Sequence, residues 1–205
     1  MAISQQTFEI MQPVDLDTTL ASGQCFRWQR NDDGEWIGVL GEDIVKLSVS
    51  SSEVHIATSA NRARTIESEI FDYLRLDDDL GQIQKRLGCD PTLARSIESY
   101  PGLRVLRQDP WETLIGFILS AVSNIRRISM TMESLSQNLG KKIIMADEVR
   151  YSFPTPEALA HVSESQLRQL GCGFRAPYVK QAAQMVQQGR LCLRELRSAT
   201  YIDVL

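Results

Sequence analysis

The apolar residues of this 205-residue chain change their period once, near residue 62, and that change limits the folds open to it. Before it, residues 8–11, 24–29, 36–40, 44–49 and 54–57 are short apolar or alternating runs. Between them lie turn compositions: Asn31-Asp32-Asp33-Gly34, Gly41-Glu42-Asp43 and Ser50-Ser51-Ser52. Short strands at this spacing predict an antiparallel sheet. After the change, Ile66, Ile70, Tyr73 and Leu74 recur at helical spacing, and so do Leu80, Ile83 and Leu87. Asp90-Pro91 predicts another helix, with Asp as the cap and Pro in the first turn.

The clearest helix start is Asp109-Pro110-Trp111-Glu112, with an Asp N-cap, Pro at the first helical position and Glu placed to close a capping box. The stretch that follows, residues 114–122, is apolar on nearly every face and predicts a helix buried all round. Further helices are expected at about 126–139, 155–160, 164–170 and 175–188, the last stopped by Gly189. Residues 198–205 look like a cap and the first turn of one more helix. The pattern is that of an α+β protein. An N-terminal antiparallel β-sheet domain with flanking helices (residues 1–103) precedes an incomplete α-helical bundle (residues 104–205).

Charge and composition narrow the function classes. The net charge of −4 is unevenly spread: residues 1–100 hold 9 Lys and Arg against 17 Asp and Glu, and residues 101–205 hold 13 against 9. A phosphate-facing surface is therefore expected in the second half. No apolar run reaches the ~18–20 residues of a membrane helix, and the N-terminus lacks the charged and apolar regions of a secretory signal. Cys25, Cys89, Cys172 and Cys192 are scattered without a C-x-x-C pair, which speaks against a zinc site or a disulfide framework and for a reducing compartment. Two histidines, His55 and His161, are too few and too distant for a histidine metal site. No cofactor and no membrane partner is expected, and the expected location is the cytoplasm with its nucleoid, or the nucleus.

Three segments carry more specific information. The first is Ser22-Gly23-Gln24-Cys25-Phe26-Arg27-Trp28, followed by Trp36-x-Gly38. The second runs from Asp109-Pro110-Trp111 to Ser120-Ala121-Val122-Ser123-Asn124-Ile125-Arg126-Arg127. The third is Leu170-Gly171-Cys172-Gly173-Phe174-Arg175-Ala176-Pro177-Tyr178-Val179. In this order and spacing they resemble the eukaryotic-type 8-oxoguanine DNA glycosylases of the helix-hairpin-helix superfamily. The resemblance covers almost the whole chain and implies a partner: double-stranded DNA containing oxidised guanine.

It also implies site residues. Such an enzyme flips the damaged base into a pocket. 8-Oxoguanine has an N–H at N7 where guanine has an acceptor, so a backbone carbonyl pairs with the lesion alone. By resemblance Gly23 supplies that carbonyl. Phe174, where the family often has Tyr, is the wedge that fills the vacated stack. Arg127 and Arg175 match the positions that donate to the orphaned cytosine. Taken singly these residues have plainer readings: Ser22-Gly23 as a tight strand entry, Phe174 as a helix-start core residue, and each arginine as a solvated charge. Arg126 reads as a surface charge or phosphate contact. One position departs from the family pattern. Val122 stands where the family has an Asn that also contacts the orphan cytosine, so opposite-base preference is in question.

The family's chemistry is bifunctional, glycosylase and AP lyase. It uses a lysine that attacks C1′ and an aspartate that stabilises the cationic sugar. Neither stands in this chain in the family's context. Lys46, Lys85, Lys141, Lys142 and Lys180 all lie elsewhere, so both groups and the phosphate-gripping hairpin are expected beyond Leu205. On this reading the 205-residue chain carries recognition and is itself inactive. The alternative is a naturally short, non-catalytic DNA- or partner-binding module. An incomplete bundle should also leave an apolar face uncovered, through which the chain could self-associate.

Overall fold

The computed structural model describes residues 3–50, 52–59 and 65–198. They fall into two compact units. One contains the described residues up to Arg107 together with Ile143–Val149; the other contains Gln108–Lys142 and the described residues from Arg150 onward.

The first unit is built on a five-stranded antiparallel sheet in the order β1-β5-β4-β3-β2. Its strands are β1 (Ile3–Glu9), β2 (Gln29–Arg30), β3 (Trp36–Leu40), β4 (Asp43–Ser50) and β5 (Glu53–Ser59). The period-two pattern assigns the faces. Val45 and Leu47 on β4, with Val54 and Ile56 on β5, point to one side. There they pack with Leu16 and Leu20 of α1 (Leu16–Ala21) and with Ile66, Ile70 and Tyr73 of α2 (Ile66–Tyr73). Truncating one such residue to Ala costs about 2–5 kcal/mol. Ile37 and Ile44 point to the other side and are covered by Ile143 and Met145. The unit is completed by α3 (Leu80–Leu87) and α4 (Pro91–Ser99).

Two strand expectations are corrected. The first strand runs over Ile3–Glu9 instead of residues 8–11. It is an edge strand rich in Ser, Gln and Thr, so its alternation is half exposed and apolar content does not mark it. Residues 24–28 are not a strand at all, and only Gln29–Arg30 pairs, with β3. Their apolar residues are buried or half-buried in an irregular segment anchored by its own side chains.

The second unit is helical: α5 (Pro110–Ser120), α6 (Ile125–Leu139), α7 (Pro156–His161), α8 (Glu164–Leu167), α9 (Ala176–Gln187) and α10 (Leu193–Ser198). Asp109 caps α5, its carboxylate accepting from the Glu112 N–H at 2.9 Å. The indole N–H of Trp111 donates to the Pro154 carbonyl at 2.9 Å. The expectation that residues 114–122 are buried all round fails. Trp111, Ile115, Gly116 and Leu119 face inward, Phe117 is 74% exposed, and the helix stops at Ser120. A residue composition apolar on every face therefore does not mean burial on every face here. The structure adds a β-hairpin, β6 (Lys142–Met145) with β7 (Glu148–Tyr151), whose Lys-Ile-Ile-Met run is too short to separate strand from helix by pattern. The expected helical turn at 198–205 lies, past Ser198, outside the described residues.

Candidate nucleic-acid interface

In the first unit, the Ser22–Trp28 segment leaves the end of α1 through Gly23, whose φ of +86° a side chain would resist. The side chains around it are taken up by structure. Gln24 is the anchor: its amide nitrogen donates to the Thr19 carbonyl at 3.1 Å and the Arg104 carbonyl at 2.9 Å. Its amide oxygen accepts from the Leu106 N–H at 2.8 Å. The Ser22 hydroxyl donates to Thr19 O at 2.9 Å, and the buried Cys25 thiol donates to Leu20 O at 3.3 Å. The Trp28 indole N–H donates to the Tyr73 hydroxyl at 2.8 Å, and the ring lies over Gly38. A Cβ on Gly38 would stand 2.4 Å from the indole, which explains the glycine in Trp36-x-Gly38. Gly23 is thus a half-buried backbone position on a pinned segment. Sequence reasoning missed the role of Gln24, because an amide that bridges to residues 80 and 82 positions away leaves no local pattern.

Arg104 and Arg107 lock the stretch of chain that Gln24 grips. Arg104 is buried, and desolvation lowers its pKa from the usual arginine range. Its guanidinium donates to the carbonyls of Arg75 and Pro13 at 3.0 and 3.4 Å. Arg107 pairs with Asp77 at 3.0 Å and also with Asp72. The hydrogen bond from Arg107 holds the Asp77 carboxyl below its ordinary value.

In the second unit, α8 passes through a widened turn at Arg168–Cys172 and a single tight turn at Gly173–Arg175 before α9 begins. Gly171 and Gly173 make this kink, with φ of +104° and +56°. A Cβ at Gly171 would meet the Thr131 hydroxyl at 2.9 Å. Cys172 turns inward and is fully buried, and burial pushes its thiol up to about 11. Phe174 is thrown outward, 54% exposed, so it is not the core residue that its place at a helix start allowed. Arg175 turns back: only 5% exposed, it stacks on the Phe174 ring at 4.3 Å and donates to the carbonyls of Ala121 and Val122.

Arg127 stands at the start of α6. Asn124 caps that helix by accepting from the Arg127 N–H at 2.9 Å, a contact worth about 1 kcal/mol. The Arg127 side chain is exposed, and its guanidinium has no hydrogen-bond partner among the described residues. Phe174, Arg175 and the Ala121–Val122 turn therefore share one cluster, and Arg127 lies on the helix that leaves that turn. Lys46 pairs with Glu148 at 3.5 Å; Lys85, Lys141 and Lys142 are exposed, and Lys180 is half-buried. Among the described residues no group of three His, Cys, Asp or Glu could hold a metal ion, and no helix is long and apolar enough to cross a membrane. The four cysteines are free thiols.

Residues 8–114 match the family model described as "8-oxoguanine DNA glycosylase, N-terminal domain". The chain belongs to the 8-oxoguanine DNA glycosylase family. Residues 115–204 match the HhH-GPD superfamily of base excision DNA repair proteins. Among curated relatives, the chain is 36% identical over 208 residues to the N-glycosylase/DNA lyase of Saccharomyces cerevisiae, covering 92% of this chain and 54% of the relative. It is 32% identical over 172 residues to N-glycosylase/DNA lyase OGG1 of Arabidopsis thaliana, covering 80% and 46%. The chain thus spans about half the length of these relatives. Among solved structures, it resembles the Clostridium acetobutylicum 8-oxoguanine glycosylase/lyase in complex with double-stranded DNA containing cytosine opposite 8-oxoguanine. There the TM-score is 0.88 at 30% identity, covering 98% of this chain and 70% of the other. It resembles MBOgg1 in complex with a low-affinity DNA ligand with a TM-score of 0.89 at 32% identity, covering 98% and 71%. The α+β architecture is the one this family uses.

Proposed function

We propose that this chain is the lesion-recognition part of a bifunctional 8-oxoguanine DNA N-glycosylase and AP lyase acting in base-excision repair. The observation that carries the reading is Phe174: an aromatic ring held in solvent at the apex of a rigid two-glycine kink, with an arginine stacked on it. Apart from the Arg175 stack, an exposed aromatic in so constrained a turn has no packing reason to be there, and a wedge entering a base stack needs both exposure and rigidity. Gly23 offers its carbonyl to the N7–H of the flipped base. Arg127 donates to the orphan cytosine through its free guanidinium, and Arg175 through Nη1, which has no partner among the described residues. None of Lys46, Lys85, Lys141, Lys142 and Lys180 stands in the family's context for the nucleophile, so these 205 residues bind without cutting.

The work is intracellular, where the DNA is. Exposed apolar side chains in the second unit, among them Phe117, Ile125 and Tyr178, support self-association without DNA, seen as a concentration-dependent sedimentation coefficient.

The test pairs binding with borohydride trapping on the same duplexes. The expected result is tighter binding to 8-oxoguanine than to guanine, both opposite cytosine, affinity that falls steeply with salt, and no covalent adduct. Equal affinity for the two duplexes contradicts the recognition reading. An adduct at stoichiometric protein places a nucleophile among the five lysines and contradicts the reading that these residues bind without cutting.

A further inference from the structure

The kink that presents Phe174 holds two glycines within three residues, Gly171 at φ +104° and Gly173 at φ +56° with ψ −131°. Glycine enters such conformations freely and leaves them as freely. A Cβ on Gly173 would come no nearer than 3.9 Å to a neighbour, so the backbone conformation calls for glycine there and lack of space does not. The residues that shape the kink therefore also make it a swivel. Side chains from two neighbouring helices remove that freedom. From α6, the Thr131 hydroxyl lies 3.4 Å from the Gly171 carbonyl and 2.9 Å from the Arg127 carbonyl. From the end of α8, Arg168 reaches five residues forward, and its Nη1 donates to the Gly173 carbonyl at 3.2 Å. Its Nη2 pairs with Glu164, one turn back in α8, at 3.4 Å. The Gly173 carbonyl also accepts from the Ala176 N–H. The peptide directly before Phe174 is thus held from both α8 and α9.

We infer that Arg168 is a positioning residue for the wedge: it ties the Gly173–Phe174 peptide to α8 and so fixes the direction in which the ring points. The DNA half of this inference rests on the proposed function; the tie does not. The side chain suits the task. A guanidinium donates in two directions from one rigid plane, so a group held at Glu164 fixes the carbonyl at its other end. Pairing with Glu164 also balances the arginine's charge locally, which leaves it little attraction to spare for phosphate. Arg168 and Glu164 are both about half exposed, and an ion pair of that kind contributes little to stability. Its loss should therefore fall on the direction of the ring and leave folding nearly untouched.

Two measurements on the 205-residue chain test it. Without DNA, amide hydrogen exchange is compared for wild type and Arg168→Ala. The tie requires faster exchange confined to residues 171–176, the Ala176 N–H included, with a melting midpoint close to wild type. Unchanged exchange there overturns the tie, and so does a loss of protection spread over the whole second unit. With DNA, affinities for an abasic-analogue duplex opposite cytosine are measured over a range of salt for wild type, Arg168→Ala, Phe174→Ala, the double variant and Arg168→Lys. Arg168→Ala should weaken binding by about 3-fold, part of the ~10-fold expected when the ring itself is removed. It should add no further loss in the Phe174→Ala background and leave the salt slope as in wild type. Arg168→Lys keeps the charge without the planar fork and should not restore affinity. Equal losses in both backgrounds, or a salt slope reduced by about one, make Arg168 a phosphate contact and overturn the positioning role. Unchanged affinity of Arg168→Ala overturns it too. Full affinity of Phe174→Ala, or failure of wild type to bind any duplex, rejects the proposed function and the positioning role with it, and the exchange measurement still decides the tie.

Discussion

The Ser22–Trp28 segment and the Gly171–Arg175 kink both carry strong family resemblance, and they use their residues in opposite ways. In the first, side chains are consumed by structure: Gln24 bridges to Arg104 and Leu106, Cys25 bonds Leu20, and Trp28 packs on Gly38 and bonds Tyr73. What remains to offer a ligand is the backbone at Gly23. In the second, the backbone is consumed by the kink, and what remains is a side chain, Phe174. A motif can therefore be specific because it builds a support or because it presents a group. Only the structure separates the supporting residues from the presented ones.

If Gln24 supports the first segment in this way, Gln24→Ala should be the most damaging substitution in either motif. It leaves the Leu106 N–H and the Arg104 carbonyl without their partner, and buried groups left that way cost roughly 1–3 kcal/mol each. Denaturant melts should show a loss of about 3 kcal/mol in stability. A loss under about 0.5 kcal/mol would mean that the segment is held by packing alone and would erase half of the contrast.

The inward-facing residue of the kink gives a smaller, pH-dependent effect. The folded chain keeps the Cys172 thiol protonated up to about 11, against 9.0 for an unperturbed cysteine. Between those values the unfolded chain ionises and the folded chain does not. Ionisation therefore favours the unfolded state progressively more as pH rises. The stability from this group is complete below pH 9 and lost as pH rises towards 11. The difference in stability between wild type and Cys172→Ala should shrink by on the order of 2 kcal/mol across that window. A difference that is flat with pH would mean that the thiol reaches solvent.

Much of the architecture is legible in the sequence because it depends on local chemistry. Asp109 and Pro110 mark the start of α5, Asp90 marks α4, and short apolar or alternating runs mark β3, β4 and β5. What cannot be read there depends on partners distant in sequence. The β1 edge strand is polar and is defined by pairing with β5. Residues 24–28 are apolar because they are packed, without being a strand. The exposure of Phe117 follows from which helix face finds a neighbour, which an all-apolar run does not encode. At the candidate site, the resemblance names Gly23, Phe174, Arg127 and Arg175. It gives no hint of Gln24 as anchor, nor that Arg175 turns onto the carbonyls of residues 121 and 122.

The smallest effect on stability should accompany a clear effect on binding, and it falls at Phe174. The ring is half in solvent, so Phe174→Ala should leave stability within about 0.5 kcal/mol of wild type. Loss of a stacked aromatic should cost about 1–3 kcal/mol in binding to DNA. The direct test is the affinity of the Phe174→Ala chain for an abasic-analogue duplex opposite cytosine, beside its melting midpoint. An unchanged midpoint with affinity reduced about 10-fold is the result expected of a presented wedge. A lowered midpoint with unchanged affinity would make Phe174 a packing residue and contradict the recognition account.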